Sequence, residues 1–132
     1  MSISRSKAFQ ATRKQHLLET AEDYTELVSD MIASRGEARV CQMAEQMGVS
    51  HVTVLRTVKR LERDGFLKTA PHQPIILTRK GKSLAIASKK RHKILFDFLI
   101  KLGVPKDIAE QDVEGIEHHI SPETLRILEK NL

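Results

Sequence analysis

Hydrophobic periodicity sets in at residue 24, where Tyr24, Leu27, Val28, Met31 and Ile32 recur at helical spacing. Thr20 ahead of Ala21-Glu22-Asp23 suits a helix start, and Gly36 suits its close. Residues 1–18 carry Arg5, Lys7, Arg13 and Lys14 with no acid before Glu19, and are expected to form a flexible basic arm. An arm that touches DNA is the alternative. A short second helix fits Val40–Met47, with Met43, Ala44 and Met47 on one side. Gly48-Val49-Ser50 reads as a tight turn, with positive φ at Gly48 and an N-cap at Ser50. A third helix follows from about His51 to Asp64, with Val54, Leu55, Val58 and Leu61 as its apolar stripe. Two β-prone runs, Phe66–Thr69 and Ile75–Thr78, flank Ala70-Pro71-His72-Gln73-Pro74 and predict a hairpin. Thr78 can cap a fourth helix reaching about Leu102, where Gly103 stops it. Pro105 opens a fifth helix to about His119, and Ser121-Pro122 a sixth.

The predicted fold is mainly α. A winged helix-turn-helix with a small β-hairpin wing occupies 19–78, and a C-terminal α-helical domain 79–132, the boundary lying inside a continuous helix. Apolar residues make up 40% of the chain and aromatics only 4%, without Trp, which suits an aliphatic helical core. The net charge of +5 favours a polyanionic partner without proving one. Cys41 is the single cysteine, so neither an internal disulfide nor a thiolate zinc cage can form. The N-terminus lacks the apolar stretch of a secretory signal, and no run is long enough to span a bilayer. A cytoplasmic protein with no membrane partner is expected.

Ala44 to Ser50, followed by Val54 and Leu55, carries the core pattern of a helix-turn-helix. Small Ala44 lets the two helices approach, and Val49 with Val54 is expected to plug their interface. The N-terminal half of the third helix then faces the major groove of double-stranded DNA. Ser50, His51, Thr53, Arg56 and Thr57 are candidates for base-edge or phosphate contact, and Lys59 and Arg60 for phosphates. Arg79, Lys80 and Lys82, beside the wing, are further phosphate candidates. A trihelical module that binds protein is the bland alternative, disfavoured by the basic recognition helix.

Three fragments have metal-ligand chemistry. Asp23 and Glu26 are spaced i, i+3 on the first helix, Glu114, Glu117 and His118 are spaced 0, 3, 4 on the fifth, and His92 lies midway along the fourth. Each has an ordinary explanation when taken singly: acids that serve a helix dipole, an exposed polar face, a solvated histidine. Spacing alone does not join them into one site.

The sequence resembles the manganese-responsive, MntR-type branch of the diphtheria-toxin-repressor family over roughly residues 20–128. The likeness rests on Asp23-Tyr24-Thr25-Glu26, Gly36-Glu37-Ala38-Arg39-Val40, the helix-turn-helix, Leu77-Thr78-Arg79-Lys80-Gly81 and Arg91-His92. Above all it rests on Asp112-Val113-Glu114-Gly115-Ile116-Glu117-His118-His119. The resemblance implies that Asp23, Glu26, His92, Glu114, Glu117 and His118 are metal ligands, with His119 a neighbour. Carboxylates and imidazoles suit hard Mn²⁺, whereas the iron-responsive branch has Met and Cys at the positions of Asp23 and Glu114. Four carboxylates balance two divalent ions, so two Mn²⁺ per subunit are expected. The resemblance also implies a homodimer formed through the C-terminal helices. Ile94, Phe98, Leu99, Leu102, Ile108, Ile116 and Leu125 are available for that interface or for a monomer core. Because the chain ends at Leu132, the SH3-like domain of the iron-responsive relatives is expected to be absent.

The expected function is that of a Mn²⁺-dependent DNA-binding repressor of metal-transport genes. A same-fold regulator answering to Fe²⁺ or Zn²⁺ is the nearest alternative. A binuclear metallohydrolase is a distant one, since no motif remains for a general base or a substrate cleft. No catalytic residues and no small-molecule substrate are expected.

Overall fold

The computed structural model describes residues 4–132. Among them lie α1 (Arg5–Arg35), α2 (Val40–Met47), α3 (His51–Arg63), β1 (Leu67–Lys68), β2 (Ile76–Leu77), α4 (Arg79–Lys101), α5 (Lys106–Ile116) and α6 (Pro122–Lys130). The order is the one expected, and the chain is mainly helical. It packs as two compact units, one of Ala21–Ile86 and the other of the chain up to Thr20 together with Ala87–Leu132. Packing therefore divides α4 after Ile86, later than residue 78. The reason is that the start of α4 feeds the core of Ala21–Ile86, with Leu84 packed against it.

In the unit Ala21–Ile86, Val28, Met31, Met43, Val54, Val58, Leu61 and Leu67 are each at most 1% exposed. Burying an aliphatic side chain of this size contributes roughly 1.5–3 kcal/mol. Gly48 adopts φ +67° as the C-cap of α2, and the Ser50 side chain accepts from Thr53 N–H at 3.1 Å to cap α3. Two apolar expectations fail here. Val49 is 40% exposed, its backbone N–H bonding the Ala44 carbonyl at the end of α2, while Val54 is fully buried in the core cluster. Leu55 is also exposed, so the buried stripe of α3 narrows to Val54, Val58 and Leu61.

The wing is antiparallel, with Leu67 opposite Leu77 and Lys68 opposite Ile76. Strands this short need outside support. One source is the bridge from Ile75 N–H to the Ala38 carbonyl at 2.8 Å, which ties the hairpin to the segment after α1. Another is Glu62 of α3, whose carboxylate accepts Thr69 N–H at 2.7 Å and the Thr69 hydroxyl at 2.9 Å. The variant Glu62→Ala is expected to lose about 1–2 kcal/mol, the range for an exposed charge-assisted pair. Denaturant unfolding and amide exchange at Thr69 measure it. Lys80 is exposed and folds back on its own unit: its Nζ donates to the Asp64 carbonyl at 2.9 Å and sits 4.3 Å over the Phe66 ring. In this arrangement the lysine supports the C-terminus of α3.

The other unit holds the residue 5–20 portion of α1, α4 from Ala87, α5 and α6. Residues 5–18 are helical, contrary to the flexible arm expected. Thr20 is not a cap, since its hydroxyl bonds back to the His16 carbonyl at 2.9 Å and the helix runs through it. Ile94, Leu95, Ala109 and Val113 form the buried apolar set of this unit. Ile94 is thus core, whereas Leu102, Ile108 and Ile116 remain exposed. Cys41, on α2, is exposed. No helix of the described residues is long and apolar enough to cross a membrane.

Candidate metal centre and DNA-reading face

α5 ends at Ile116, one turn short of expectation, so Glu117, His118 and His119 lie in the turn that follows. Glu117 N–H still bonds the Val113 carbonyl at 2.9 Å, and His119 N–H bonds that of Ile116 at 2.9 Å. Glu117 keeps helical dihedrals, with φ −58° and ψ −28°, and its side chain is 2% exposed. His92, on α4, brings Nδ1 to 2.7 Å from Glu117 Oε2 and 3.9 Å from Glu114 Oε1. His118 Nε2 lies 3.4 Å from the other Glu117 oxygen. Ligand atoms of His92, Glu114 and Glu117 all fall within 4.8 Å of one another. Four of the six expected ligands are therefore gathered in one unit, with Glu114 at the exposed rim.

Burial raises the Glu117 carboxyl above its ordinary value; the His92 hydrogen bond opposes that rise, and the Glu114 charge adds to it. Arg91, next to His92, has its pKa lowered by burial and is held up by the Glu117 charge. An ionised carboxylate in such a place is costly unless it is neutralised. A hard divalent cation would supply that neutralisation, and two carboxylates with two imidazoles are a donor set it accepts. The residues fit such an ion.

Asp23 and Glu26 belong to the other unit. They lie i, i+3 on α1, Asp23 exposed and Glu26 half-buried, interleaved with buried Glu22, Tyr24 and Thr25. In the same unit α3 presents His51, Thr53, Arg56 and Lys59 as exposed side chains, with Thr57 and Arg60 half-buried. Ser50 and Thr53 also serve the α3 cap, their hydroxyls 2.8 Å apart. Sequence reasoning overlooked Val52, 62% exposed on the same face, an apolar side chain of the kind that meets thymine methyls. It also overlooked Gln15 and Glu19 of α1. Gln15 donates its side-chain amide to the His118 carbonyl, and Glu19 Oε1 lies 2.7 Å from His119 Nε2. No signal in the sequence ties these residues to a turn a hundred positions away.

Known proteins share both halves of the chain. Residues 16–74 match the iron dependent repressor N-terminal DNA binding domain, and residues 78–132 match the iron dependent repressor metal binding and dimerisation domain. The transcriptional regulator MntR of Salmonella typhimurium is 45% identical over 119 residues, 90% of this chain and 76% of that protein. The HTH-type transcriptional regulator MntR of Oceanobacillus iheyensis is 39% identical over 100 residues, 76% of this chain and 68% of the relative. Among solved structures, a manganese-dependent transcriptional repressor in complex with manganese superposes with TM-score 0.75 at 26% identity, over 84% of this chain and 51% of that one. The metal-dependent transcriptional regulator MtsR gives 0.77 at 25% identity, over 83% and 52%. This chain spans about half the length of those solved proteins. With both family domains matched in sequence order, the chain belongs to the iron-dependent repressor family, a family of DNA-binding regulators and not of enzymes.

Proposed function

We propose that this chain is a Mn²⁺-responsive transcriptional repressor, acting in the cytoplasm as a homodimer on operator DNA of metal-transport genes. The observation that carries the metal half is Glu117, a buried carboxylate with an imidazole on each side and Glu114 at its rim. Asp23 and Glu26 complete the donor set, giving four carboxylates and two imidazoles, enough charge for two divalent ions per subunit. That oxygen-rich set favours Mn²⁺ over the metals that prefer sulfur. The names of the relatives support the same metal.

When bound, the metal supplies positive charge that cancels repulsion among the carboxylates. The chain's own residues do the rest. The carboxylates of Asp23 and Glu26, ahead of the helix-turn-helix, and of Glu114 and Glu117, in the dimerisation domain, stop opposing one another and, with His92 and His118, couple the two domains. The two recognition helices of a dimer then settle at a spacing near one DNA turn. Ser50, His51, Thr53, Arg56 and Thr57 meet base edges or phosphates, while Lys59 and Arg60 hold the backbone.

Fluorescence anisotropy on the gene's own upstream DNA, with Mn²⁺, Fe²⁺ or Zn²⁺ at buffered free concentration, tests this. Operator affinity indifferent to all three metals overturns the proposal, and a response to Fe²⁺ or Zn²⁺ in preference to Mn²⁺ reassigns the effector. A pH dependence follows from Glu117. Its raised pKa keeps a proton on the carboxyl at a pH where an ordinary glutamate has lost it, and metal must displace that proton. Mn²⁺ affinity is expected to fall as pH drops, starting above the normal carboxylate range. Calorimetry in buffers of different ionisation enthalpy is expected to show proton release on binding.

A further inference from the structure

We propose that the amino-terminal turns of α1 are a positioning element for the metal centre, with Gln15 and Glu19 fixing the turn that carries His118. The inference rests on the reading of Glu117 and His118 as ligands. Between Ser4 and Leu18 every residue of α1 is exposed except Gln15. Gln15 and Glu19 are spaced i, i+4 and share one face of the helix. Both are spent on one target: the Gln15 amide donates to the backbone carbonyl of His118, and Glu19 Oε1 lies 2.7 Å from His119 Nε2. The second oxygen of Glu19 lies 3.5 Å from His16 Nδ1, which steadies the carboxylate from its own helix.

The turn needs such support. It begins where α5 stops, and it carries two candidate ligands in consecutive positions that must both turn to the same buried spot. Glu117 is fully buried, while His118 must bring Nε2 within 3.4 Å of the Glu117 carboxylate. A rotation of the 118–119 peptide would carry the imidazole away. Gln15 holds that peptide from the carbonyl side, and Glu19 holds the next side chain along. Groups that orient ligands without touching the metal commonly change affinity 10–100-fold.

The test uses the full chain and Mn²⁺ as the probe. The pair Gln15→Ala with Glu19→Ala is expected to weaken Mn²⁺ binding about tenfold or more. The metal-free melting temperature should stay close to that of the wild type, and the electron paramagnetic resonance spectrum of the bound ion should change. Glu19→Gln, which keeps an oxygen to accept from His119, is expected to recover most of the affinity that Glu19→Ala loses. Wild-type affinity in the paired variant, or equal losses in Glu19→Gln and Glu19→Ala, overturns the positioning role. So does a loss of affinity that merely follows a loss of metal-free stability. Glu117→Gln in the same assay separates the two ideas: if it binds like wild type, the centre itself is misassigned. If it fails to bind while the paired variant is normal, only the role of α1 falls.

Discussion

Substituting Glu117→Gln is expected to abolish metal-dependent operator binding while leaving the metal-free protein as stable as before or more so. Glutamine keeps the volume of the side chain and a polar atom for His92, so the buried position stays filled. It removes the charge whose burial is expensive. Folded-state burial raises this carboxyl, so the native state holds its proton more tightly than the unfolded chain. The linkage sign follows: as pH rises through that interval, ionisation of Glu117 destabilises the metal-free protein, and the variant is spared this cost. Metal affinity has the opposite dependence, since the ionised form is the ligand. A loss of about 100-fold in Mn²⁺ affinity, near 2.7 kcal/mol, is the expected scale for deleting one anionic donor. Isothermal titration with Mn²⁺ and anisotropy on operator DNA read both effects. Operator affinity still raised by Mn²⁺ to within a few-fold of wild type would falsify the assignment of Glu117.

The second large effect is on folding. Gly81, buried in the first turn of α4, faces the carbonyl of Phe66 so closely that a Cβ placed there would lie 2.1 Å from the oxygen and 3.1 Å from its carbon. The same methyl would press Leu77 at 3.2 Å. A backbone carbonyl cannot rotate aside as a side-chain end can. This one also accepts Thr78 N–H at 3.1 Å, while the Thr78 hydroxyl oxygen accepts Gly81 N–H at 3.1 Å. Gly81→Ala must therefore separate the start of β1 from the cap of α4, and is expected to cost about 3 kcal/mol, the upper end for overpacking. Urea unfolding measures it, and a midpoint unchanged from wild type would show that the hairpin yields more easily than its bonds suggest. DNA affinity is expected to fall with stability, because the wing hangs on the same carbonyl.

Much of this architecture could be read from the chain in advance. Val40–Met47, the Gly48 turn, the Ser50 cap, the hairpin and the start of α4 rest on local signals: a period, a capping hydroxyl, a glycine where φ is positive. Local signals fail where long-range contacts decide. The bridge from Ala38 to Ile75 has no trace in either segment, and nothing local to Val49 tells that its side chain stays in solvent. Residues 5–18 were misread because basic charge without a hydrophobic period describes a solvated helix as well as a coil. At the metal centre the donor types and the helical spacing of Glu114 and Glu117 are plain in the chain, but not that Glu117 is buried while Glu114 stays at the exposed rim. Only the resemblance of the Asp112–His119 string to known repressors joined these fragments beforehand.

Cys41 has a practical consequence. It is the chain's single thiol, and it sits exposed on α2 within the DNA-binding unit. A nitroxide attached there needs no engineered background, and in a homodimer it places one spin on each reading head. Pulsed dipolar spectroscopy then returns a single inter-spin distance distribution. Its width reports how loosely the two heads are held in the metal-free dimer, in solution and without operator present.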